Sequence, residues 1–159
     1  MEQQHDLLLS SPLLSSRKVI SALAIALCGF SAGEAQAQAI TSNITPYTTG
    51  TGANTKYFLS SNGTTTGVAN TRYEKVTVKV EYYSVGTGGN PDVLLDTVNM
   101  TLDPVAAQQN WNSPGVEITG PPPAGQKFYA KAKGTYQKPT PPGGSDIAGP
   151  TNSTQKEFP

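Results

Sequence analysis

The side chains best equipped for chemistry in this sequence are five carboxylates, Asp92, Asp96, Asp103, Glu117 and Asp146, and three planar rings, Tyr83, Trp111 and Tyr129. Paired carboxylates can act as acid and base on a glycosidic bond, and a closer cluster can hold calcium. The spacing supports neither: no D-x-D-x-D run occurs, Asp92 reads as a turn residue and Asp103 as a helix cap. Asp96 falls on the core phase of its strand near a strand end, where a carboxylate must be paired or at the rim. For that reason alone it is a weak calcium candidate. The rings point to recognition. Tyr83 and Tyr129 take the polar phase of their strands and Trp111 lies in a loop, and exposed rings are what sugars and extended peptides stack on. Trp111, Tyr83 and Tyr129 are therefore the candidate ligand-binding residues, with packing in the core as the competing role of each. No catalytic residue, metal ligand or cofactor is assigned.

The inventory of nucleophiles supports a non-enzyme. The single His, His5, and the single Cys, Cys28, both precede residue 40. The remaining chain is thus without a His general base, a Ser/His/Asp triad, a Cys nucleophile, a disulfide or a His or Cys metal site.

Both residues sit in what reads as a cleavable export signal over residues 1–39. A polar stretch ends in Arg17-Lys18, Val19 to Ala32 are mostly apolar and small, and Ala35-Gln36-Ala37-Gln38-Ala39 holds two overlapping A-x-A sites. Cleavage is expected after Ala37 or Ala39. The apolar run is shorter than the ~20 residues of a membrane span, and no other membrane segment is expected. Lipidation at Cys28 is the alternative, with Leu27 standing where a lipobox wants a small residue. Of eleven basic and eleven acidic residues, Arg17, Lys18, Glu2, Asp6 and Glu34 leave with the signal. What remains is near neutral, without the basic field that recruits nucleic acid or anionic lipid.

The elements that position the candidates read as strands. Val76, Val78, Val80 and Tyr82 alternate with Lys75, Thr77, Lys79, Glu81 and Tyr83, and Leu94, Val98, Met100 and Leu102 alternate with Leu95, Thr97, Asn99 and Thr101. Period two over these lengths predicts an antiparallel hairpin around the Gly86–Asp92 loop. Short edge strands are expected near Ile44–Thr49 and Lys56–Ser60. Asp103-Pro104 predicts a helical turn running to Gln109, Val116–Thr119 a short strand, and Gln126–Tyr136 the last strand, with Phe128, Ala130 and Ala132 on one face. From residue 138 to 159 Pro, Gly, Ser and Thr dominate, and a disordered tail is expected.

These elements define an all-β, antiparallel β-sandwich over residues 40–137, with one short helical turn. The layout from the central hairpin through Asp103-Pro104, Trp111 and the Gly125–Ala132 strand resembles an immunoglobulin-like or fibronectin-III-like module, without the cysteine pair of true immunoglobulin domains. The function expected is that of a non-enzymatic exported structural or adhesive module of the cell envelope or extracellular space, with other envelope proteins or polysaccharide as partners. The competing class is a small carbohydrate-binding module using exposed aromatics.

Overall fold

The long period-two runs form the centre of the second of two antiparallel sheets, and a strand of small residues forms the centre of the first. The structure, a computed structural model, describes residues 38–68, 71–102 and 108–159. Residues 1–37, with His5, Cys28 and nearly all of the expected signal, lie outside the described residues, as do Asp103 and the rest of the 103–107 stretch that carries the expected helical turn. Among the described residues the chain is all-β. Its strands are β1 (Ala39–Ile40), β2 (Asn43–Thr49), β3 (Lys56–Thr66), β4 (Lys75–Ser84), β5 (Val93–Leu102), β6 (Gln108–Asn112), β7 (Val116–Ile118), β8 (Phe128–Gln137) and β9 (Ser145–Asn152). The one described helical element is a single 3-10 turn at Gly52–Asn54.

The first sheet is built on β3. β1 and β2 follow one line of register along one side, from Ala39 opposite Thr66 to Thr49 opposite Lys56. β6 and β7 line the other side, with Trp111 opposite Gly63 and Val116 opposite Leu59. β3, expected as an edge strand, is therefore central. Its small residues explain the difference: Ser61, Gly63 and Thr65 give the segment little apolar content, and they leave room for larger side chains from its neighbours. Gln108 and Gln109, expected to close a helical turn, belong to β6.

The second sheet has the order β5-β4-β8-β9. Val76, Val78, Val80 and Tyr82 of β4 and Phe128, Ala130, Ala132 and Tyr136 of β8 are all buried. They share one core with Ile40, Ile44, Leu59, Trp111, Val116 and Ala148. The sheets are also tied by polar groups. The buried Tyr82 hydroxyl is hydrogen-bonded to Ser113 Oγ, which accepts the Ser61 N–H at 3.0 Å, and Ser61 Oγ donates to Asn43 O at 2.7 Å. Each hydroxyl in this relay has a partner, which offsets its desolvation.

Residues 138–159, expected as a disordered tail, are instead part of the fold. β9 pairs with β8 and buries Ala148. Lys138 and Tyr73 both reach Asp146, at 2.8 and 3.2 Å. The hydrogen bond from Lys138 holds the Asp146 carboxyl below its ordinary range. Farther on, Ser153 Oγ accepts the Ala130 N–H, and the Phe158 ring meets Tyr57 and Phe128 edge-on at 5.5 and 5.4 Å. An edge strand needs only one face covered, so Ala148 and a backbone ladder suffice where composition alone suggests disorder.

Candidate functional site

Tyr83 and Tyr129 are cross-strand partners on β4 and β8. They stand on the outer face of the second sheet because their odd-numbered phase there is the one opposite Val80, Tyr82 and Ala130. Their rings are stacked, with centroids 5.0 Å apart and planes 8° from parallel. Each ring therefore turns one face to the other, so the pair does not present two rings side by side as a flat platform. Both hydroxyls are committed as well. Tyr83 donates to Glu81 Oε2 at 3.0 Å and Tyr129 to Asp92 Oδ2 at 2.9 Å.

Electrostatics follow from these bonds. Burial pushes the Tyr129 phenol up to about 12, with the Asp92 carboxylate adding to it. Tyr83 is raised by burial and by Glu81. Glu81 is lowered by the hydrogen bond from Lys79, whose Nζ lies 2.6 Å from Oε1, and Lys79 is raised in turn. At neutral pH both phenols are protonated donors and Glu81 is a charged acceptor. Asp92 also closes the loop between β4 and β5, its Oδ1 accepting the Gly86 N–H at 2.8 Å.

Trp111 is nowhere near this pair. It is 3% exposed, on the inner face of β6 opposite Gly63. The structure thus brings two of the three candidate rings together and places the third in the core. Asp96 is exposed and its Oδ1 accepts the Thr97 N–H at 2.6 Å. Glu117 pairs with Lys56 at 3.1 Å. Among the described residues no group of three or more metal-ligating side chains converges, and no helix is long and apolar enough to cross a membrane.

A feature that residue types alone do not single out is an edge. β5 pairs with β4 on one side only, and none of its residues is fully buried. Val93, Leu94 and Leu95 are 55%, 51% and 38% exposed. A bulge causes part of this: Tyr82 pairs with Asp96 and Tyr83 with Leu94, so Leu95 has no partner on β4. Leu95 instead lines a cleft of about 370 Å³ with Phe128, Val116, Ile118 and the Pro121–Pro123 run. A signal for it does exist in the sequence: β5 contains no Lys, Arg or Pro, and its guards against edge pairing are confined to Asp96 and the bulge near its start. The opposite edge, β9, has Gly149 and Pro150. No protein-family model, curated protein or solved structure matches this chain.

Proposed function

We propose that the chain is a non-enzymatic, exported structural or adhesive module of the cell envelope or extracellular space, and that it assembles through β5. The observation that carries this reading is the ten-residue edge with its apolar start and adjoining cleft. A free edge offers a row of unpaired N–H and C=O groups to an added strand, while side-chain pockets beside it set register. The occupant we assign is β5 of a second copy. Antiparallel pairing about Val98 sets Thr97 against Asn99 and the lone charge, Asp96, against Met100, so like charges are not opposed.

The immunoglobulin-like or fibronectin-III-like sandwich is part of the same reading. In that lettering β1 with β2 stands for strand A, β3 for B, β4 for C, β6 with β7 for E, β8 for F and β9 for G, while β5 joins the sheet of C as a C′ strand does. The strand order supports the assignment, and the missing cysteine pair separates it from antibody domains.

Export rests on residues 1–39, and β1 refines the expected cut. Ala39 pairs with Thr66, so cleavage after Ala39 would remove half of β1, whereas cleavage after Ala37 leaves it whole. We therefore place the mature start at Gln38. N-terminal sequencing of secreted protein checks this, and a lipid-bearing Cys28 at the N-terminus would refute it. Light scattering across a concentration series tests assembly. We expect association that Thr97→Lys with Asn99→Lys abolishes without lowering Tm; a monomer at every concentration overturns the reading.

A further inference from the structure

The outer face of the first sheet is chemically unlike the rest of the surface. Register sets Asn43 of β2, Asn62 of β3 and Asn112 of β6 in one row across three strands. Neighbouring strands lie about 4.8 Å apart, so the three residues repeat at that backbone spacing. Two residues along β3, about 7 Å away, lies a second row of Thr41, Thr64 and Asn110. These six residues line one groove of about 510 Å³.

Four of the six are uncommitted. The side chains of Asn43, Asn62, Asn110 and Asn112 are exposed and make no hydrogen bond to the described protein. Gly63 and Trp111 lie between the two rows and complete the groove, with the Trp111 ring turned away from it into the core. None of the six ionises. The charged pair on this face, Lys56 with Glu117, is already neutralised and lies six residues from Asn62 along β3, about 20 Å away. In the direction away from the Thr41 row, Asn62 leads through Ser60 to Phe58, whose ring stacks on Tyr47 at 5.3 Å and 14°. Phe58 lies about 14 Å from Asn62 along the strand.

We infer that this face is a binding track for a neutral, extended polysaccharide lying along β3. A carboxamide offers two N–H donors and an acceptor oxygen, which matches the paired donor and acceptor of vicinal hydroxyls. Tyr47 and Phe58, stacked like Tyr83 and Tyr129, form no flat two-ring platform, and what they add at the end of the polar rows is one outward ring face, an apolar contact for the C–H face of a single sugar ring. Acidic glycans and nucleic acids find no cation in the groove, and a protein partner finds too little apolar surface there. The inference supplies a ligand for the adhesive role and stands on residues separate from β5, so either can fail alone.

Retention of the purified protein on insoluble cellulose, xylan, mannan and starch, beside alginate and heparin gels, is the test. We expect retention on at least one of the four neutral polymers, unchanged in high salt. Asn62→Ala with Asn112→Ala should weaken it about tenfold or more, since each lost hydrogen bond to a ligand counts for about 1 kcal/mol. Tm of that exposed double variant should be unchanged. Retention on none of the neutral polymers, retention on the acidic gels alone, or full retention by the Asn62→Ala, Asn112→Ala variant overturns the inference. Loss of β5 association has no bearing on any of these readouts.

Discussion

Gly63 lies directly opposite Trp111 across β3 and β6, and a Cβ on residue 63 would come within 2.8 Å of Trp111 Cζ2 while colliding with the carbonyl oxygen of Thr41. One hydrogen atom on β3 is thus what admits the only tryptophan to the core. Gly63→Ala forces either the chain at Thr41 or the indole to move. The expected loss is about 1–3 kcal/mol, the range of an overpacked interior, measured by urea denaturation. Wild-type stability would show that the indole sits elsewhere.

Tyr82 and Ser113 bond two hydroxyls inside the core, and Ser113 also accepts the Ser61 N–H. Ser113→Ala leaves both the Tyr82 hydroxyl and the Ser61 N–H without this partner, at about 1–3 kcal/mol each. Tyr82→Phe removes one hydroxyl while the Ser61 to Ser113 bond persists, so it should cost less. A double-mutant cycle should return a coupling of about 0.5 kcal/mol or more. Strict additivity would mean the two hydroxyls do not meet.

Tyr129 should ionise near 12 and Tyr83 above its ordinary value. Because burial contributes first and Asp92 second, Asp92→Asn should bring the Tyr129 transition down only part of the way toward 10. The folded state favours the protonated phenol, so this contribution to stability is complete below pH 10 and is lost as pH rises toward 12. Ultraviolet difference titration against Tyr129→Phe reads the transition. An unchanged midpoint in Asp92→Asn would break the assignment of the Tyr129 to Asp92 bond.

Truncation after Lys138 should sharply destabilise the protein. It strips β9 from β8, uncovers the core around Ala148, removes Asp146 from Tyr73 and frees the edges of Tyr57 and Phe128. Phe158→Ala alone should cost about 1–3 kcal/mol, less than a fully buried Phe because the ring is only partly buried. Thermal melting checks both; equal Tm for the full and truncated chains would detach β9 from the fold.

How much of the fold is legible in the sequence depends on whether a strand's neighbours shape its composition. β4 and β8 can be read from period two because they bury one full face of Val, Tyr, Phe and Ala. β3 reads as an edge because Ser61, Gly63 and Thr65 are small for the sake of Trp111 and Tyr82, a reason visible only in space. β9 escapes notice because an edge strand with one buried alanine has no apolar rhythm to detect. The candidate rings are found by type, but stacking of Tyr83 on Tyr129 and burial of Trp111 are matters of register. The Asn43, Asn62, Asn112 row joins positions up to 69 residues apart in sequence and has no local signature.

The placement of the described ends has a mechanical consequence. Ala39 lies beside Tyr136, whose hydroxyl reaches Ala39 O at 3.5 Å, whereas Phe158 packs by Phe128 at the other end of β8. Tension applied between these points runs along the strands. The ladders that join β1 and β2 to β3, and β9 to β8, have their bonds across that line. They are loaded together, as a lap joint is, and do not open one after another like a zip. A chain hung between two anchors would therefore resist pulling through many weak bonds at once, with no covalent crosslink needed.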